Sequence, residues 1–245
     1  MTLVALLQAR DEERDLPGWL TNIAPCVDSI VALDDGSVDA TAAILEAHPK
    51  VARLLRNAPG KPWDERANQV ALVKAGREFG DWALAVDADE RLETRFAEAA
   101  PGLLRQAQSD GIDCLCFSLR ELWGDRSHYR IDGVWGHKTR YRLFRNDPTH
   151  RRFDPRPLHR FWMPMDIAFN IETRGRHSGF NLYHLSMIEP AEREARVRRY
   201  ESLDPEHRYQ SIGYAYLADE HGLQLEAIPA GRDYLRTPKA TCGEW

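Results

Sequence analysis

The chain has 245 residues, 43% of them hydrophobic and 29% charged, with a formal net charge of −5. That length and apolar content support one sizeable buried core and exclude a disordered or fibrous chain. No apolar stretch approaches the roughly 18 to 20 residues that span a bilayer, and the N-terminus has no basic segment followed by a long apolar core. The expected compartment is therefore the cytoplasm.

Val4-Ala5-Leu6-Leu7 is the first apolar run. The polar stretch Gln8-Ala9-Arg10-Asp11-Glu12-Glu13 comes next, then a helical pattern over residues 16–24. A second run, Ser29-Ile30-Val31-Ala32-Leu33, ends at Asp34-Asp35-Gly36-Ser37-Val38-Asp39-Ala40-Thr41 and leads into a helix over 41–47. Asp39 reads as a turn or cap residue before that helix, and Gly36 as a turn position that a side chain would hinder. The third run, Trp82-Ala83-Leu84-Ala85-Val86, stops at Asp87-Ala88-Asp89-Glu90. Strands alternating with helices imply beta-alpha-beta units, and parallel sheets bind ligands beyond the carboxyl ends of their strands. Both acidic strand ends belong on the same rim. Two aspartates spaced i, i+2 around a small residue can turn toward one hard cation, because Mg2+ and Mn2+ take carboxylate and phosphate oxygens. An acidic turn capping the next helix is the competing reading of such a motif taken alone.

The early strand with Ala9-Arg10-Asp11-Glu12-Glu13, the block from Leu33 to Thr41, the segment Arg66-Ala67-Asn68 and Val86-Asp87-Ala88-Asp89-Glu90 together resemble the family 2 glycosyltransferases. The match covers roughly residues 3–93 in order and spacing, and is much looser beyond. The resemblance implies a GT-A fold: an α/β single domain with a mixed, mostly parallel sheet flanked by helices and a C-terminal helical segment. Within 1–245 it implies a nucleotide-binding half over 1–93, an acceptor and metal-completing half over 94–188, and the helical segment over 189–245. It also implies transfer of a sugar from a nucleotide-diphosphate-sugar donor to a hydroxyl acceptor, whether saccharide, lipid-linked or small molecule, with Mn2+ or Mg2+ as cofactor. Asp34 and Asp35 are then expected at the nucleobase or ribose, with Ala9, Arg10, Glu12, Arg66, Asn68, Asp87 and Ala88 completing the donor site. Asp89 is expected to hold the metal. Glu90 is open between a place behind the metal and an exposed start of the next helix, the second being favoured.

The four cysteines form no C-x-x-C pair. Cys114 and Cys116 alternate onto one face of a strand-like run, which favours core packing over zinc. The loop Asn57-Ala58-Pro59-Gly60-Lys61-Pro62 leaves Lys61 and Trp63 either near the donor or as ordinary surface.

Between Arg126 and Arg160 stand nine arginines and one lysine against Asp132, Asp147 and Asp154. Arginine forks match phosphate oxygens, so this segment suits a donor diphosphate, an anionic acceptor or peripheral contact with the inner membrane face, against the alternative of a solvated basic surface. A nucleic-acid partner is not expected, since no recognised motif accompanies the charge. His184, in the apolar run Asn181-Leu182-Tyr183-His184-Leu185, matches by position the late histidine that completes the metal site in many enzymes of the resembled fold. Members of the family often carry His-Glu after an Arg-Leu-Phe-Arg segment. Here Arg142-Leu143-Phe144-Arg145 is followed by Pro157-Leu158-His159-Arg160, so arginine stands where the glutamate is expected. His159 is consequently the first candidate for the base that takes the acceptor proton, with Asp154 and Asp166 behind it. Trp123, His128, Tyr129 and Trp135 are open between lining an acceptor pocket and packing on the sheet. At the C-terminus, Glu-Arg pairs at i, i+4 predict a solvated helix from Pro190 to Leu203, and a second helix is expected over 209–221. A non-catalytic nucleotide-sugar-binding protein is the rival of a different class, and the oligomeric state is not legible.

Overall fold

The computed structural model describes residues 1–156 and 158–234. Three buried runs, β1 (Leu3–Ala9), β2 (Ser29–Asp34) and β4 (Trp82–Ala85), lie parallel with β1 in the centre, and β3 (Val51–Arg56) extends the sheet beyond β2. They are linked through α1 (Leu16–Ile23), α2 (Thr41–Ala47) and α3 (Glu65–Gly76). Alternation along the strands divides the core into two layers. Leu3, Ala5 and Leu7 of β1 pack with Ile30, Ala32, Trp82 and Leu84 against Leu16, Trp19 and Leu20 of α1. Val4 and Leu6 face the other way and pack with Val31, Leu33, Ala83 and Ala85 against Leu72 and Val73 of α3. The sheet is thus covered on both faces, which is why these strands read as continuous apolar runs. Gly80, before β4, permits this packing: a Cβ there would stand 2.7 Å from the Val4 nitrogen.

The second half closes the sheet. After β5 (Glu90–Leu92) and α4 (Phe96–Ser109), the chain forms β6 (Cys114–Glu121), the short β7 (His128–Arg130), β8 (Thr139–Arg145), the one-turn helices α5 (Met165–Ala168) and α6 (Ile171–Arg174), and β9 (Gly175–His184). β8 enters antiparallel between β4 and β6, giving the order β3-β2-β1-β4-β8-β6-β9-β5. β6 and β9 are parallel, and β5 returns antiparallel on β9. A two-stranded ribbon joins β7 to β10 (Leu225–Ala227). The result is the expected α/β fold with a mixed sheet flanked by helices. Cys26, Cys114 and Cys116 are buried free thiols in the core; Cys242 lies outside the described residues. Among the described residues no helix is long and apolar enough to cross a membrane.

The C-terminal part departs from expectation. α7 (Pro190–Leu203) forms as expected, but 209–221 holds a single 3-10 turn at Ala215–Leu217 instead of a helix. The Asp204 carboxylate accepts the backbone N–H groups of Arg208 and Tyr209 at 2.8 and 3.0 Å, and Gly213 sits at φ +72°. A side chain that satisfies backbone donors, followed by a left-handed glycine, stabilises a turn over a helix. Trp123 and Trp135 meet edge to face and pack with Met187, Tyr214 and Leu217, Tyr129 joins a separate cluster with Leu122 and Tyr183, and His128 pairs with Asp125. Trp123, Tyr129 and Trp135 are packed in the core, whereas His128 is half-exposed and held by Asp125; none of the four borders the cavity lined by Asp87 and His184.

Candidate active site

Because β1, β2 and β4 are parallel, their carboxyl ends share one rim, and the register places Ala9 beside Asp34. Asp35 is fully buried, and both its oxygens are used: Arg10 Nη2 donates to Oδ2 at 2.7 Å and Asn57 Nδ2 to Oδ1 at 2.5 Å. Arg10 Nε also donates to the Asp35 carbonyl, while the Asp35 N–H bonds the Ala9 carbonyl. Asn57 reaches on to Asn68 Oδ1 at 2.9 Å, leaving the buried Asn68 Nδ2 without an acceptor. Asp34 accepts only the Ser37 N–H on Oδ1, among the described residues. Asp35 is therefore consumed in holding the pocket, whereas Asp34 keeps acceptor capacity on its other oxygen. Gly36, at φ +77°, lets the loop pass Ala58, whose carbonyl oxygen a Cβ would meet at 2.6 Å. Asp39 accepts the N–H groups of Thr41 and Glu13, forming the turn before α2, whose N-cap is Ala40. Arg10 stacks over Trp63 and bonds the Lys61 carbonyl. Arg66 is exposed on the first turn of α3.

The Asp87-Ala88-Asp89 turn leads into β5, not into a helix. Glu90 is accordingly buried at 2% exposure, correcting the expected exposed helix start. Its pairing with β9 sets Glu90 opposite His184, and the β6–β9 register sets Glu121 beside the same histidine. His184 thus bridges two carboxylates: Nδ1 lies 2.5 Å from Glu121 Oε2 and Nε2 lies 2.9 Å from Asp89 Oδ2. Burial opposes a charged ring, but Asp89 and Glu121 outweigh it and raise the His184 pKa to about 10. The same contacts overcome burial at Asp89 and Glu121 and hold both carboxyls well below the usual range. Ala88 is buried in the turn and accepts Arg91 Nη1 at its carbonyl. Arg142 of β8 lies behind, its Nη2 2.5 Å from both Asp87 Oδ2 and Glu90 Oε1. Burial and Asp87 push the Glu90 carboxyl up to about 7 in spite of Arg142.

Negative charge is in excess at this rim. Burial, then Asp89, Asp15, Asp87 and Asp39, push Glu12 up to about 8. A divalent cation beside Asp89 would relieve that excess. The donor set also fits one, since a carboxylate anchored on Nδ1 aims the Nε2 of a histidine at a metal. Among the described residues no group of three or more His, Cys, Asp or Glu side chains is arranged to hold a metal alone. Asp89 and His184 would therefore supply two ligands, leaving positions for phosphate oxygens and water.

α7 is solvated over most of its surface, as expected, but one face docks on the site. Arg193 is buried, bonding the Met187 and Ile188 carbonyls and Glu220, and Arg196 reaches the Ser186 hydroxyl, His184 Nε2 at 3.3 Å and Asp89 at 3.9 Å. Glu192 bonds Arg14 at 2.7 Å, and of the expected i, i+4 pairs the exposed Glu194–Arg198 contact at 3.6 Å is present.

Below the Asp87–Asp89 turn opens a cavity of about 390 Å3 whose walls include Glu65, Asp87, Arg140, Arg142, His159, Arg160, His184 and Arg196. His159, at φ +53°, stands over Tyr200 and Tyr214. The single Tyr214 O–H proton goes to Asp204 at 2.9 Å, so the Tyr214 oxygen accepts Nε2–H of His159 at 3.1 Å. That leaves Nδ1 as the lone-pair nitrogen of the neutral ring, and partial burial with the charges of Arg140, Arg156 and Arg196 lowers the ring pKa. Asp154 is buried against Arg156, and Asp166 is bound to Arg152 on the surface; neither borders the cavity. Glu65, Glu121 and Arg196 are not singled out as site residues by the sequence, and Glu90 is open there with the exposed reading favoured. For Glu121 the available signal was its place at the end of an apolar strand, the same signal that marked Asp87.

The fold is GT-A-like. It is similar to the crystal structure of Staphylococcus aureus TarS, with a TM-score of 0.55 at 14% identity over 81% of this chain and 38% of that one. In sequence the chain is 31% identical, over 225 residues, to an uncharacterized protein of Mycobacterium tuberculosis, a match covering 88% of this chain and 54% of the relative. It is 35% identical over 153 residues to a TPR repeat-containing protein of Synechococcus elongatus, covering 61% of this chain and 32% of that protein. The chain thus spans about half the length or less of the curated relatives it matches. No known family model matches it.

Proposed function

We propose that this chain is a metal-dependent glycosyltransferase of the family 2 type, moving a sugar from a nucleotide-diphosphate donor to a hydroxyl acceptor in glycan, glycolipid or surface-polysaccharide synthesis. The observation that carries this reading is the Asp89–His184–Glu121 row at the carboxyl rim of the sheet, beside the Asp34 pocket. TarS, whose fold it shares, has been solved in complex with UDP-GlcNAc.

In this reading Asp34 accepts from the nucleobase, Asp35 and Arg10 hold the pocket wall, and Asp87 positions the ribose. Asp89 and His184 hold Mn2+ or Mg2+, which when bound neutralises charge on the departing diphosphate. Arg196, reaching the same histidine from α7, adds a fixed positive charge near that leaving group. His159 Nδ1 takes the acceptor proton, and its neutral ring is suited to do so near pH 7. The basic segment leaves room for peripheral contact with an anionic membrane face where the acceptor is lipid-linked.

The reading is tested by calorimetric titration of the full chain with UDP-, GDP-, dTDP- and CDP-sugars, with Mn2+ and with chelator. Saturable, metal-dependent binding of one nucleotide class is expected. A folded protein that binds none of them would move the chain to the non-catalytic alternative or to an unrelated ligand.

A further inference from the structure

Arg160 is the least explained charge in the molecule. It is 9% exposed, yet it forms no hydrogen bond or ion pair among the described residues, and its Nε and Nη1 are shut off from solvent without an acceptor. Burying a guanidinium whose donors lack acceptors is costly, and an anionic ligand that accepts from them relieves the cost. Its position says which ligand. Arg160 borders the 390 Å3 cavity, together with Arg140, which is exposed and forms no ion pair among the described residues. The cavity meets the metal rim through Asp87, Glu90 and His184, but none of Arg10, Asp34, Asp35 or Asn57 borders it. A ligand filling it therefore meets Asp87, Glu90 and His184 without touching the Asp34 pocket. Its carboxylates are not free to neutralise Arg160: Glu90 is taken by Arg142, and Glu121 by His184 and Lys138. Glu65 and, outside the cavity, Asp154 act on Arg160 by charge alone: Glu65 accepts from Gln69, with burial pushing its pKa up to about 7, and Asp154 is paired with Arg156.

We infer that the acceptor is an anionic hydroxyl compound, whose phosphate or carboxylate group is bound by the Arg160 guanidinium with Arg140 at the cavity mouth. The inference rests on the transferase reading for the word acceptor; the anion site itself rests on Arg160. Anion binding there gives two unpaired buried donors a charge-assisted partner, and the guanidinium fork suits both anion types.

The test titrates the full chain with glycerol 3-phosphate, glycerate and neutral glycerol, for wild type, Arg160→Gln and Arg160→Lys. The nucleoside diphosphate selected by the sugar-nucleotide panel is titrated in parallel. At least one anionic probe should bind wild type tenfold or more tighter than glycerol, fall tenfold or more in Arg160→Gln, and recover in part in Arg160→Lys. Nucleoside diphosphate affinity should stay within twofold. Arg140→Gln, at an exposed position, should give a smaller loss of about threefold and keeps the test alive if Arg160→Gln does not fold. Glycerol 3-phosphate against glycerate separates phosphate from carboxylate recognition. An unchanged anion affinity in Arg160→Gln overturns the inference. So does a loss confined to the nucleoside diphosphate, which would assign Arg160 to the donor. Nucleotide binding without any anion preference sinks the inference while the transferase reading stands; Arg160-dependent anion binding without nucleotide binding does the reverse.

Discussion

The Asp87–Asp89 turn separates two regions built in opposite ways. On the Asp34 side, Arg10, Asp35, Asn57 and Asn68 come from consecutive parts of the chain and satisfy one another, leaving one Asp34 oxygen and the Asn68 amide available. On the cavity side, residues arrive from β6, β8, β9, α7 and the segment around Arg160, and several charges are buried with poor or no compensation. The first side is preorganised by its own hydrogen bonds. The second is held by packing and by long-range ion pairs, and the proposed ligand would complete its electrostatics.

Removing Arg142 should break this contrast most severely. Arg142→Ala leaves Asp87 and Glu90 facing each other with no cation, and a loss of about 3 to 5 kcal/mol in unfolding free energy is expected from denaturant titration. A loss below about 1 kcal/mol would mean that the cavity side is not held by this pair.

Glu65 tests the same side through pH. Its pKa rises from 4.5 to about 7 on folding, so folding takes up a proton between those values and wild-type stability falls as pH rises across that window. Glu65→Gln has nothing to ionise. It should therefore gain relative to wild type above pH 4.5, reaching on the order of 3 kcal/mol above pH 7. A pH-independent difference between the two proteins would show that Glu65 is not buried in this field.

Glu121→Gln addresses the row that joins the two sides. Loss of the carboxylate charge facing His184 Nδ1 should weaken Mn2+ binding by about 10- to 100-fold in the presence of nucleotide, while nucleotide binding in chelator stays unchanged. Equal affinity for Mn2+ would detach His184 from the metal. At the small end, Glu194→Ala removes an exposed contact with Arg198 and should change stability by less than about 0.5 kcal/mol in thermal melts.

The same division governs how much the sequence reveals. β1, β2 and β4 are buried on both faces, so each reads as an unbroken apolar run, and each ends in residues whose rim position is dictated by parallel pairing alone. Gly36 and Asp39 are legible because turn chemistry is local. Glu90 is not, since the conformation after Asp89 depends on whether β9 is there to pair with it. Glu121 and Arg196 are placed by strand register and by the return of α7 across the rim, neither of which leaves a mark in local periodicity. The helix expected over 209–221 fails for a related reason: the Asp204 side chain and Gly213 decide that stretch, against the apolar spacing of Ile212, Tyr216 and Leu217. Arg160 is the opposite case, a departure visible in sequence whose meaning emerges only from its burial without a partner.

The central claim is that Asp89 and His184 hold a metal that bridges a nucleotide diphosphate. Its most direct test compares wild type and Asp89→Ala by calorimetry, titrating the nucleotide-sugar class selected by the panel with Mn2+ and with chelator. The account predicts strong binding only for wild type with Mn2+, and the same weak residual binding, carried by the Asp34 pocket, in the other three conditions. Metal-independent binding of equal strength in wild type and Asp89→Ala would contradict it.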